Sequence, residues 1–414
     1  MKRWMIAALV PALALAAMSC NKTGSSEGKS EGKALKTAAA NVPNPAMSAP
    51  DQVGWELFLA AAAPTQGGGT TFEGWASDAQ TFSLNPVWPS ERLAIQPRRA
   101  RPTQLLGRGP AHALAAAVPA GGGTAAAGTP KGAAPEPGLQ PNTLHDVALE
   151  EVRRNRPAFD YIVQNGLNKR SGLKAAFGKT IDFPAEAVEV KTNWLTVEQV
   201  KQYYPARVTG DIGANFFVVQ NKEGVAYALV AMHVISKQVP NWTWATFEHN
   251  ANPGRCDIIG CYDSFGAQQA QVPPAATPEG DYGPCPKTAA LQNMWGDTPA
   301  ALANYCLKGS QTDFIDPTGL AVRLGNSVTE GGFVESSSCM TCHATAGWNK
   351  DGIGTFSGAP IGPVPWQTFW TTANPPPVQN GPNSRIFTQA DFVWAIPFCA
   401  YDDLTGKGAV CSGP

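Results

Sequence analysis

The chain reads as an α+β protein with antiparallel strands, many loops and disulfide bracing, on three observations. Two apolar, aromatic and β-branched runs, VAYALVAMHVIS and NWTWATFEHN, are separated only by KQVP, which predicts neighbouring strands of a sheet. Glycine and proline number 42 and 36 while charged residues make up only 15%, a composition that favours turns and short elements over long helical bundles. Nine cysteines are present, and six remain after three are assigned elsewhere below, an even number suited to disulfides in an exported chain. The formal net charge of −1 leaves no electrostatic footprint for nucleic acid.

The N-terminus supplies the export. MKR is a positive start, WMIAALVPALALAA is an apolar run short for a membrane span, and small residues precede Cys20, so residues 1–19 predict a signal peptide. Ala17-Met18-Ser19-Cys20 resembles a lipoprotein processing site, departing from the usual pattern at Ala17. It predicts lipidation of Cys20 and a membrane anchor. Asn21 after the cysteine, rather than Asp, fits an outer-membrane address facing the periplasm. Residues 20–50 lack aromatic residues and apolar periodicity and predict a flexible tether.

Residues 51–101, with VGWELFLAAAAP and FEGWASDAQTFSLNPVWP, carry aromatic side chains that must be buried. The segment is too short to stand alone and is expected to pack on the main domain. The Ala-, Gly- and Pro-rich run 102–141 reads as a low-complexity insertion.

The main domain is expected over 142–414. Asn142 or Thr143 can cap a helix through LHDVALEEVRRN, and Pro157 can begin another through AFDYIVQNG. Thr196 and Gln199 fit a capping box. In the two strands, alternation places His233 with Tyr227, Leu229 and Ala231, and His249 with Ala245 and Phe247. Farther on, Thr298-Pro299 suggests a short helix reaching Cys306, and TDFIDPTGLAVRL a hairpin over Asp-Pro-Thr-Gly. Thr388 suggests the cap of a helix through DFVWAI that stops before Pro397. The six remaining cysteines are expected to pair with near neighbours: Cys256 with Cys261, Cys285 with Cys306, Cys399 with Cys411.

The stretch SSSCMTCHATAG sets Cys339 and Cys342 three positions apart, with His343 directly after. Such a turn can offer two thiols to the two vinyl groups of one porphyrin edge and an imidazole to its iron. A structural zinc site would want two further ligands at close spacing, and no second Cys-x-x-Cys or His pair is present. A thioredoxin-like dithiol would follow a strand and open a helix in a βαβ context, whereas a Gly-Gly loop and three serines precede this one. A plain disulfide is the remaining alternative. Covalent haem c is the expectation, with His343 as proximal ligand, and export fits it because such haem is attached outside the cytoplasm.

No Met or His follows His343, so a sixth iron ligand of either type must come from upstream. Met47, His112 and His145 lie in or beside tails and linkers, which leaves His249, His233, Met232 and Met294, or an open iron. KTNWLTVEQV, ALVAMHVISKQVPNWTWATFEHNANPGRCDIIGC, LGNSVTEGGFVESSSCMTCHATAGW and DFVWAIPF resemble a group of little-characterised bacterial proteins, the cytochrome c family proteins. WELFLAAAAP and WASDAQTF are similar to the N-terminal portion of that group. The resemblance implies haem binding by Cys339, Cys342 and His343, and makes His249 the first candidate for the distal ligand.

The expected function is one-electron transfer by a lipid-anchored, mono-haem cytochrome c with a redox protein as partner, in a single haem domain unlike the small all-α cytochrome. Two other functions stay open. One is a haem enzyme or a sensor of peroxide or gas with an open iron; the other is a haem-bearing structural subunit of a redox complex.

Overall fold

The apolar run from Ala226 becomes the longest strand of a seven-stranded sheet in a computed structural model. The structure describes residues 44–92, 94–98, 143–204, 210–272, 280–331, 333–355, 361–369, 385–406 and 411. The signal segment 1–19, Cys20, the tether as far as residue 43 and the insertion 102–141 with His112 lie outside the described residues; the last part of the expected tether is instead ordered, with Asn44 capping a short helix Pro45–Ser48 whose Ala46 packs against Val53 and Val239.

The strands are β1 (Ala76–Ser77), β2 (Leu149–Arg154), β3 (Val188–Thr196), β4 (Val218–Gln220), β5 (Ala226–Ser236), β6 (Thr243–His249) and β7 (Tyr305–Gln311). They run antiparallel in the order β1-β2-β3-β5-β6-β7, with β4 pairing the start of β5. A smaller antiparallel sheet joins β8 (Gly347–Trp348), β9 (Gly354–Thr355) and β10 (Thr388–Gln389) in the order β10-β8-β9. The architecture is mixed α+β with disulfide-braced loops, and it is not a small all-helical fold.

The large sheet has two unlike faces. Thr192, Met232, Phe247 and Leu307 are cross-strand neighbours, and the last three enter an apolar core with Trp55 and Phe58 of helix α1 (Pro50–Ala62). Phe247 stacks on Phe58 at 4.4 Å and meets Trp55 edge-on at 4.9 Å. Full burial of each such ring contributes about 1.5–3 kcal/mol, so this early aromatic segment belongs to the main core. On the other face Lys191, His233 and Thr246 stand side by side, followed by Glu150, Asn193, Ala231 and Glu248. This polar row is closed over by the segment that runs from Leu324 into the Cys-x-x-Cys turn.

Strict alternation fails once along β5. The register slips between Asn193 and Trp194, so that Ala231 and Leu229 oppose consecutive residues of β3. A bulge of this kind moves the residues beyond it to the opposite face. Leu229 and Tyr227 therefore join the α1 side rather than sharing a face with His233, while Val230 and Ala231 pack together in another cluster.

Other local expectations meet mixed outcomes. Asn155 caps the helix Arg156–Gln164, and the Thr196/Gln199 box opens Val197–Tyr203. The Asp-Pro-Thr-Gly turn closes with Gly319 N donating to Asp316 O at 2.9 Å, flanked by an Ile315/Ala321 bridge. The helix expected through LHDVALEEVRRN stops at Val147, and β2 follows. Its charges are what the sheet requires: Arg154 pairs with Glu189 and Asp78, and Arg153 with Glu151, which overrides helical propensity.

Likewise a 3-10 turn, Ala300–Asn304, gives way to β7 before Cys306, because β6 offers that stretch a ladder. Thr388 lies in β10, and the last helix is Ala395–Cys399 with Pro397 in its first turn, where a missing N–H costs nothing. The three disulfides are Cys256–Cys261, Cys285–Cys306 and Cys399–Cys411, the near-neighbour pairing.

Candidate functional site

Cys339, Cys342 and His343 sit on helix α2 (Cys339–Ala344), where spacings of three and four put all three on one face. Ser338 caps the helix, and Gln311 at the end of β7 holds its start by accepting from Met340 N at 3.2 Å and donating to Ser338 Oγ at 3.0 Å. Cys339 N donates to Leu324 O at 3.2 Å. Met340 and Ala344 anchor the other side of the turn in an apolar cluster with Trp244 and Trp348. The two thiols are half-buried and unpaired, although every other described cysteine is in a disulfide.

His343 Nδ1 lies 2.8 Å from Phe392 O. A carbonyl can only accept, so Nδ1 carries the proton and the Nε2 lone pair is left available. The ring packs against Trp244, centroids 4.6 Å apart, and burial pulls its pKa down to about 4. A neutral imidazole oriented through its far nitrogen is how an iron-binding histidine is prepared.

Around this helix the polar sheet face gathers charged side chains. Lys191, Glu330 and His233 are desolvated yet stay 25%, 16% and 11% exposed. Burial pushes Glu330 up to about 7, against the pull of Lys191. Burial lowers Lys191, but the Glu150 carboxylate at 2.8 Å and Glu330 more than reverse it and leave it raised. Burial and then Glu330 push Cys342 up to about 12, and Cys339 well above the ordinary thiol value. Protonated thiols of this kind are poor exchange dithiols, even though the motif does open a helix. Among the described residues, no three metal-binding side chains converge at the motif; the one such cluster is Asp78 with Cys399 and Cys411, whose sulfurs are already joined.

The candidate sixth ligands are dispersed. His249 is spent: Ala251 N donates to its Nδ1 at 3.1 Å, its Nε2 donates to Asn215 O at 3.0 Å, and its ring stacks on Phe216 at 3.7 Å. Burial lowers its pKa to about 3. His233 is on the motif's side of the sheet, but its Nε2 meets Asn326 Nδ2 at 2.8 Å and Thr329 Oγ1 at 3.1 Å. Glu330 Oε1 lies 3.7 Å from the same nitrogen. Met232 is in the core on the opposite face, and Met294 packs against that core.

His145, placed beside a linker by sequence, lies against the loop over the motif with Nδ1 2.9 Å from Val328 O. Sequence reasoning missed Glu330 and Lys191, since isolated charges give no signal until the sheet gathers them. No family model, curated protein or solved structure matches the chain.

Proposed function

We propose that the chain is an exported, lipid-anchored c-type cytochrome of the cytochrome c family resemblance described above, carrying one covalent haem and acting in one-electron transfer. The supporting observation is the donor set: two unpaired thiols on one helix face beside an imidazole whose Nδ1–H is donated to Phe392 O. Cys339 and Cys342 would hold the haem through thioethers, and His343 would bind its iron. The haem supplies a one-electron iron couple. The chain's own residues orient His343, shield it with Trp244 and Phe392, and set the local field through Lys191, Glu150 and Glu330. Three disulfides agree with an oxidising compartment, in keeping with a signal peptide at 1–19, lipid on Cys20 and an outer-membrane site facing the periplasm. The partner would be another redox protein.

The test is a pyridine haemochrome assay on the full chain expressed with export and haem-attachment machinery. One covalent haem per chain is expected, lost on Cys339→Ala with Cys342→Ala; absence of covalent haem from the parent protein would sink the proposal.

A second reading, a haem enzyme or a peroxide- or gas-reactive sensor, draws on one observation. Glu330 Oε1 lies 3.7 Å from His233 Nε2 on the motif's side of the sheet, while His249 has both ring nitrogens engaged. A high-spin spectrum with rapid carbon monoxide binding would select it, and a low-spin six-coordinate spectrum would select the carrier.

A further inference from the structure

We propose that Asp391 and Lys237 are positioning residues for His343, holding a strained turn whose carbonyl sets the basicity of that imidazole; the inference rests on the haem reading above. Asp391 and Phe392 have φ of 46° and 70°. Two successive non-glycine residues in the left-handed region, one of them bulky, persist only where surrounding contacts over-determine them.

The contacts are present. Asp391 Oδ1 accepts from Lys237 Nζ at 2.7 Å, and Oδ2 accepts from Phe183 N at 2.8 Å. Lys237, directly after β5, also donates to Pro240 O at 2.9 Å and lies 3.1 Å from Asp182. Both members of the pair are 7% exposed. On the near side, Ala390 N donates to Ala346 O at 2.8 Å and Gln389 Nε2 donates to Ala344 O at 2.8 Å, tying the turn to the end of α2. The turn is thus clamped at both ends, and the group it presents between the clamps is the Phe392 carbonyl that accepts from His343 Nδ1.

A strong bond from Nδ1–H to a carbonyl makes the imidazole a better electron donor and favours the oxidised iron. Freeing the turn lets Asp391 and Phe392 relax toward ordinary backbone angles and carries the carbonyl away. The oxidised form then loses stabilisation, and the midpoint potential rises.

The test compares Lys237→Met, Lys237→Arg and the double variant Lys237→Met/Asp391→Ala in the full-length holoprotein. The double variant matters because it removes the clamp without stranding a buried charge. Midpoint potential is read by spectroelectrochemistry, and the His343 Nδ1–H resonance by NMR of the reduced protein, with covalent haem content as control. The expected result is a rise equal to about a tenfold change in the redox equilibrium, or about 59 mV for one electron. It should appear in Lys237→Met and in the double variant together with a shifted Nδ1–H resonance, and be largely restored in Lys237→Arg. Haem-loaded double variant with potential and resonance unchanged would overturn the inference alone. A parent protein without covalent haem would overturn the haem reading and this inference with it.

Discussion

His343 and His249 show how one residue type is given two uses. Both are neutral and desolvated, but His343 spends only Nδ1 on the backbone, whereas His249 spends both nitrogens. Substituting His249 with Ala should therefore leave the visible spectrum unchanged while costing about 2–4 kcal/mol, from the lost ring contacts and two lost hydrogen bonds; optical titration and urea unfolding check the two halves. Its titration has a sign as well. With a folded pKa near 3 against the ordinary 6.5 of a free imidazole, the unfolded chain binds the extra proton between those values. Stability is complete above pH 6.5 and falls as the pH drops toward 3, by up to roughly 1.4 kcal/mol per pH unit. Urea midpoints of the His249→Gln variant should show a shallower decline than the parent over that window.

At the level of elements, the sheet owes as much to charge matching as to apolar pattern. Strand β2 was legible only as a helix, because Glu150, Glu151, Arg153 and Arg154 give a strand no local support. What makes it a strand is Arg154, fully buried between Glu189, Asp78 and the Thr81 hydroxyl, with Phe82 beneath its guanidinium. Arg154→Ala strands two carboxylates and should cost roughly 3–5 kcal/mol, measured by denaturant unfolding. Thr196→Ala, which removes only a capping box, should cost about 1 kcal/mol. The opposite order would show that the pairing across β2 and β3 is weaker than its geometry implies. By contrast β5 and β6 were readable from their apolar runs, except that no sequence signal marks the bulge that moves Leu229 to the far face.

For the whole molecule, the disulfides each close a short stretch of chain. Cys285–Cys306 closes a span of 21 residues and Cys256–Cys261 one of 5, so replacing each pair by serines should cost roughly 3 and 2 kcal/mol through loop entropy, a difference that thermal unfolding can resolve. A chain made in a reducing cytoplasm without residues 1–19 should lack both the disulfides and covalent haem, which thiol titration and the haemochrome assay would report together. The sequence by itself determined the chemistry: the thiols and imidazole of Cys339, Cys342 and His343, the even remainder of six cysteines and the two central strands. Those features depend on adjacency along the chain or on short-range periodicity. Only the tertiary structure decided which histidines are spent, that Glu330 and Lys191 flank the motif, and that Asp391 and Phe392 hold a strained carbonyl on His343. Each of these rests on partners brought together from distant segments, 49 residues apart for His343 and Phe392 and 154 for Lys237 and Asp391, and desolvation there is the work of all the packed elements at once.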